Sequence, residues 1–322
     1  IDGLPATYPG KLTKWLFERY TYFGGKADKG VIILPVELIE DNGKKLKHCV
    51  LSLCKAWKTS ANFAKWIEEN CIFCSTLVDR IVTGYPSDET ALLHPDDKYL
   101  DTAELFHLWV IEGDCEDELP LRKAGFNVIW TESAKPYKKI KVRILNGAHT
   151  SLVALSLLSG IETVGEAMND ETAYAFLQKA MNEEILPTIG DNEESRSFAD
   201  SVFDRFRNPF ISHKWRSIAL NSVSKFSVRV LPTLLEYKEQ KGEYPKCLTF
   251  ALAGLIYFYK NDTPEDNAEA VEKMQKGSIA EILSDASLWQ ADLSDMAEIV
   301  EDYYNKIASL GAKESVKWIL SE

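Results

Sequence analysis

The run Cys247-Leu-Thr-Phe-Ala-Leu-Ala-Gly-Leu-Ile-Tyr-Phe-Tyr259 is apolar at nearly every position. A helix with one apolar stripe can lie on a surface, but a helix that is apolar all round needs protein on every side. The run is too short to cross a bilayer. It therefore predicts a central core helix and a layer of other helices to enclose it. The same half of the chain offers them. Ala148 to Ser159 is strongly apolar, and Glu171 to Ile185 sets Ala173, Phe176, Leu177 and Ala180 on one helical face. The acidic stretches from Asp262 to Glu272 and from Glu281 to Asp302 read as a polar loop and solvated helix faces.

The first part of the chain has another rhythm. Gly30-Val-Ile-Ile-Leu-Pro35 is a short β-branched run and reads as a buried strand. Asn42-Gly43 marks a turn, a helix follows through Leu46, Val50, Leu53 and Trp57, and Phe63 to Glu69 forms another. Ile72-Phe73 then opens a strand leading towards Val78 to Val82. Strands alternating with helices predict an α/β layer with a parallel sheet. The expected architecture is α/β followed by all-α, with domains at 1–135 and 136–322. The boundary falls near Ser133-Ala-Lys-Pro136, because Pro136 would interrupt a helix.

With 322 residues, 45% of them hydrophobic, the chain can bury two cores. Its net charge of −12 and the lack of a basic run argue against nucleic acid as a partner, and an anionic substrate would need a local basic pocket. No stretch reaches the length of a membrane span, and Ile1-Asp2-Gly3-Leu4-Pro5 lacks the basic and apolar regions of a signal peptide. Cysteines 49, 54, 71, 74, 115 and 247 are scattered, which suits a reducing compartment, so a cytoplasmic protein without a membrane partner is expected. Cys71-Ile-Phe-Cys74 has CxxC spacing, but no second pair follows at a zinc-site interval, and no metal is expected. Oligomeric state has no signature here.

The chemistry-bearing segment is Lys141-Val-Arg-Ile-Leu-Asn146-Gly-Ala-His149, a cation, an amide and an imidazole at the mouth of an apolar helix. On an ideal helix, with Lys141 at zero, His149 falls at roughly 80° and Asn146 at roughly 140°, so all three can share one side and handle a carbonyl. The plainer alternative is an exposed Lys, an N-cap Asn and a partly buried His opening a core helix. The Rossmann fingerprint GxGxxG is absent, and Gly24-Gly25 lacks a strand-turn-helix context to replace it.

The Lys-x4-Asn-x2-His pattern resembles the signature of the polyol-specific long-chain dehydrogenases, the mannitol dehydrogenase family. Phe73-Cys-Ser-Thr-Leu-Val-Asp79-Arg80-Ile81-Val-Thr-Gly84-Tyr-Pro86 is similar to its VDRI motif, in a form closest to the members that reduce keto-uronates. Tyr8 to Thr13, Val31 to Ile39 and Phe106 to Glu112 match in the same order, so the resemblance covers nearly the whole chain. It implies an incomplete Rossmann-like domain and a multihelical domain resembling that of 6-phosphogluconate dehydrogenase, the missing fingerprint lying in the longer N-terminal part of relatives. It implies NAD as cofactor, a small sugar acid as substrate and no metal.

By the same resemblance Lys141 is the acid/base, Asn146 the donor to the carbonyl oxygen, and His149 a holder of a substrate hydroxyl or of the lysine. An ordinary lysine has a pKa near about 10.4, so its surroundings would have to lower it before it could act as a base. Ser75 and Glu112 stand at substrate-end positions. The mannitol enzymes have Asn in place of Ser75 and an acidic residue in place of Gly113, which favours a sugar acid over mannitol.

A carboxylate calls for guanidinium groups. Arg205-Phe-Arg207-Asn-Pro-Phe-Ile-Ser-His213-Lys-Trp-Arg216 is the best candidate pocket, with Arg207, His213 and Arg216 as its binding residues. Lys225 matches the family's substrate lysine, whereas Arg216 lies one place from the arginine column, which falls on Ser217. Arg205 and Arg207 could instead cap helices or pair with surface carboxylates. Another keto-uronate or polyol as substrate, and a catalytically silent binding fragment, stay open.

Overall fold

The apolar run after Gly30 forms a strand only at Ile32–Ile33 (β1), in a computed structural model that describes residues 3–86 and 95–322. β1 pairs in parallel with Ile72–Phe73 (β2). Two helices, Asn42–Ala56 and Ala61–Asn70, make the crossover that parallel neighbours require. Their buried Leu46, Val50, Phe63, Trp66 and Ile67 close over Leu16 of helix Tyr8–Tyr22. Asn42-Gly43 is not the turn that its composition suggested. Asp41 makes the bend in the left-handed conformation, φ 49°, and Asn42 already lies in the first helical turn. The Asn42 amide then ties the strand ends together, donating to Pro35 O at 3.1 Å and accepting from Thr76 N at 2.8 Å. Gly43 is needed because a Cβ there would fall 2.5 Å from the carbonyl carbon of Cys74.

Thr76–Asp79 (β3), Leu108–Glu112 (β6) and Val128–Thr131 (β7) form a second sheet in the order β3-β6-β7. The expected parallel sheet holds only in part: β6 and β7 are parallel, but β3 runs antiparallel to β6. Hydrophobic alternation marks strands without giving their direction.

The chain divides into one unit of Ile1–Arg80 with Phe106–Lys138 and another of Ile81–Leu105 with Lys139–Glu322. The excursion 81–105, expected in the first domain, thus groups with the helical part. It carries the antiparallel pair Val82–Gly84 (β4) and Thr102–Ala103 (β5), and Glu104 just beyond. Glu104 accepts from Ile81 N at 2.6 Å and takes a forked bond from Arg205 Nε at 3.0 Å and Nη2 at 2.8 Å, with both side chains buried. Pro136 does not interrupt a helix. It sits in the first turn of Lys135–Lys141, where a missing N–H is harmless.

The apolar run of the second half is the buried centre of helix Lys246–Asn261, as its all-round hydrophobicity demanded. It packs against Gly147–Leu158 and Ala297–Leu310. At Gly254 the first approach is so close that a Cβ would meet Leu155 Cδ2 at 2.6 Å. Pro245 precedes the core helix and offers no side-chain cap. Glu184, from a π-helical turn Ala180–Ile185, supplies one across space, accepting from Cys247 N at 2.7 Å and Leu248 N at 2.8 Å. Burial nevertheless pushes its carboxyl up to about 7. The six cysteines are free thiols, Cys49 exposed and the others buried. Among the described residues no helix is long and apolar enough to cross a membrane.

Candidate active site

Lys141 closes the helix Lys135–Lys141, and the chain passes through a π-helical turn, Val142–Asn146, into Gly147–Leu158. The path never leaves helical backbone: Asn146 has φ −74° and ψ −33°. A helix without a break has no N-cap, and Asn146 makes no capping bond. The N-cap reading of this residue is therefore corrected, and its amide is spared for other use. The wider turn also alters the angular positions computed for an ideal α-helix. Such turns recur at functional sites because an extra residue re-aims the side chains that follow it. Arg143, inside the turn, is committed to structure, donating to Thr233 Oγ1 and Glu236 Oε1 at 2.8 Å each.

His149, 6% exposed, stacks on Phe206 with ring centroids 4.2 Å apart. It meets His213 edge-on at 5.1 Å and Trp215 at 6.1 Å. An antiparallel bridge between Thr163 and Lys214, with Val164 N donating to His213 O at 2.9 Å, fixes the segment that brings these two rings in. His149 Nε2, His213 Nδ1 and Trp215 Nε1 are buried without hydrogen-bond partners. Burial, then the charges or dipoles of His213, Arg229, Arg205 and Lys225, holds His149 well below its usual pKa. Burial and Lys225 do the same for His213. Both imidazoles are therefore neutral near pH 7, each with one donor and one acceptor nitrogen.

Of the cations expected to grip a substrate, Lys225 lies close enough for its charge to bear on both His149 and His213. The other two are engaged elsewhere. Arg216 makes a two-fold bond to Asp262 at 2.9 and 3.0 Å and is 52% exposed, while Arg207 caps its helix, pairs with Asp204 and lies over the Tyr174 ring. Arg205 is bound to Glu104, a buried carboxylate rather than a surface one. Arg229, Phe206 and Trp215 also build the pocket and were not singled out from sequence. Arg229 had a visible signal, standing four residues after Lys225 and so on the same helix face.

Ser75 and Glu112 belong to the first unit, where they are neighbours: Glu112 N donates to Ser75 O at 2.8 Å. Glu112 accepts from Ala134 N at 3.0 Å and faces Lys44 at 3.6 Å. Ser75 Oγ is buried and has no partner. It follows β2 at the carboxyl end of a parallel pair, the edge where sheets of this kind bind their ligands. Among the described residues no group of three or more His, Cys, Asp or Glu is arranged to hold a metal.

Two family models match this chain, the mannitol dehydrogenase Rossmann domain over residues 3–123 and the mannitol dehydrogenase C-terminal domain over residues 133–311. An altronate oxidoreductase of Yersinia pestis is 44% identical over 344 residues, spanning 98% of this chain and 71% of the relative. An altronate oxidoreductase of Escherichia coli O139:H28 is 44% identical over 347 residues, spanning 98% and 72%. Among solved structures, substrate-free D-sorbitol dehydrogenase superposes with a TM-score of 0.81 at 25% identity, covering 97% of this chain and 67% of that one. The Pseudomonas fluorescens mannitol 2-dehydrogenase ternary complex with NAD and D-mannitol gives 0.75 at 20% identity, covering 99% and 67%, a likeness of fold.

Proposed function

The chain belongs to the mannitol dehydrogenase family, and from that premise we propose that it is an NAD-dependent oxidoreductase interconverting tagaturonate and altronate. The observation that carries the reading is local. Asn146 keeps its amide free of capping on an unbroken helical path from Lys141, and the same path leads to a buried, unpartnered His149 Nε2. These are the donors that a carbonyl and its neighbouring hydroxyl require.

Reducing a ketone puts a hydride on carbon and a proton on oxygen. NADH supplies the hydride when bound. The orphaned Ser75 hydroxyl at the ligand-binding edge of β1-β2 fits an occupant there, and Ser75 with Glu112 would line that end. No described residue is assigned to the pyrophosphate. Lys141 delivers the proton, and returns it to itself in the reverse direction. The Asn146 amide donates to the oxygen as negative charge builds, a contribution of about 3 kcal/mol when well oriented. Neutral His149 holds a substrate hydroxyl. Lys225 adds positive charge where the sugar acid binds. Lysine and amide together do the polarising, with no metal in the scheme.

The test is NADH oxidation by the purified enzyme with tagaturonate, fructuronate and uncharged ketoses. Tagaturonate is expected to give the highest kcat/KM. Oxidation with fructuronate alone would overturn the substrate assignment.

A further inference from the structure

Lys225 and Arg229 stand one turn apart on helix Ser222–Arg229, so two cations share a face and repel each other. Both are half-buried, and neither forms an ion pair among the described residues. The carboxylate that bears on Lys225 is Asp266, whose oxygens are already taken by Tyr259 Oη at 2.5 Å, Val223 N at 3.1 Å and Asn267 N at 2.7 Å. Lys225 Nζ donates to a backbone carbonyl, Ile218 O, at 2.9 Å. Arg229 Nη1 reaches Thr150 Oγ1 at 3.5 Å, the limit of a hydrogen bond. Half-buried charge without an opposite charge bonded to it is costly, and a chain with 49 acidic residues did not lack the means to neutralise it. Beside the pair, His149 is more than nine-tenths buried with Nε2 unpartnered, and His213 Nδ1 is likewise orphaned. The pocket thus offers two positive charges and two neutral imidazoles, a set that matches an anion carrying hydroxyl groups.

We propose that Arg229 reads the substrate carboxylate, receiving it alongside Lys225, and so selects a sugar acid over an uncharged polyol or ketose. Its planar fork can meet both carboxylate oxygens at once, which an ammonium cannot. The orphaned imidazole nitrogens meet the hydroxyls of the same molecule. The assignment rests on the keto-uronate reading above, and names the residue that sets the substrate class.

The test is calorimetric binding of altronate and of altritol, in which CH2OH replaces the carboxylate, to the enzyme with NADH present so that no turnover occurs. The unmodified enzyme is expected to prefer altronate. Arg229→Gln should lose about 100-fold in altronate affinity while binding altritol within about 2-fold of before, and Arg229→Lys should recover part of the loss. Altritol binding reports that the variant is folded. A variant that keeps the preference for altronate, or loses both ligands equally, overturns the assignment. An enzyme that prefers altronate through Arg229 but oxidises NADH with no keto-uronate leaves it standing and removes the proposed reaction instead.

Discussion

The imidazole of His149 stacks on Phe206, ring centroids 4.2 Å apart at an interplanar angle of 23°, with Nε2 left unpartnered. Stacking fixes the ring plane without spending either nitrogen, as a ligand-binding histidine requires. His149→Phe removes an orphaned polar atom and keeps similar volume, so unfolding free energy in urea should change by less than about 1.5 kcal/mol. KM for tagaturonate should rise at least about 10-fold. A large loss of stability with an unchanged KM would mark His149 as a packing residue only.

Glu184 and the two histidines predict opposite limbs in a stability profile. Burial raises the Glu184 pKa to about 7, so its contribution is complete below its unfolded value of about 4.3 and is lost as pH rises through about 7. His149 and His213 are held neutral, so below about 6.5 the unfolded chain takes up protons that the native state refuses, and stability falls with pH. Thermal unfolding of Glu184→Gln across this range should lack the first limb, worth up to about 3 kcal/mol, and retain the second.

The buried Glu104-Arg205 fork should show the asymmetry of such pairs. Glu104→Ala removes the forked carboxylate from a buried guanidinium and is expected to cost about 3–5 kcal/mol in denaturant unfolding. Replacing both residues with Met should recover part of that loss, the Ile81 N–H still lacking its Glu104 acceptor. Equal destabilisation by the single and double variants would contradict this account.

Gly254 lets two helices touch, one of them carrying His149. Gly254→Ala forces a methyl against Leu155 and should cost about 1–3 kcal/mol, with Leu155→Val restoring part of it in the double variant.

The helical half was legible because period and burial agree: an all-round apolar segment such as Cys247 to Tyr259 has one stable place, and the structure puts it there. Strand direction and the membership of 81–105 were not, because both depend on partners far along the chain, as Glu104 shows by reaching Arg205. Within the candidate site, the spacing of Lys141, Asn146 and His149 was visible, but the π turn between the first two was not, since a wider turn leaves no mark in hydrophobic period. The cationic segment misdirected attention for a physical reason. Arg207 and Arg216 look available in sequence, yet local carboxylates, Asp204 and Asp262, engage them, while the less conspicuous pair Lys225 and Arg229 has no such neighbour committed to it.

Proton transfer by Lys141 is the centre of the proposed chemistry, and turnover of tagaturonate by Lys141→Ala tests it most directly. Steady-state kcat should fall by about 100-fold or more, while NADH affinity from fluorescence titration stays within about 3-fold of the unmodified enzyme. Turnover close to that of the unmodified enzyme would contradict the assignment of Lys141 as the acid/base.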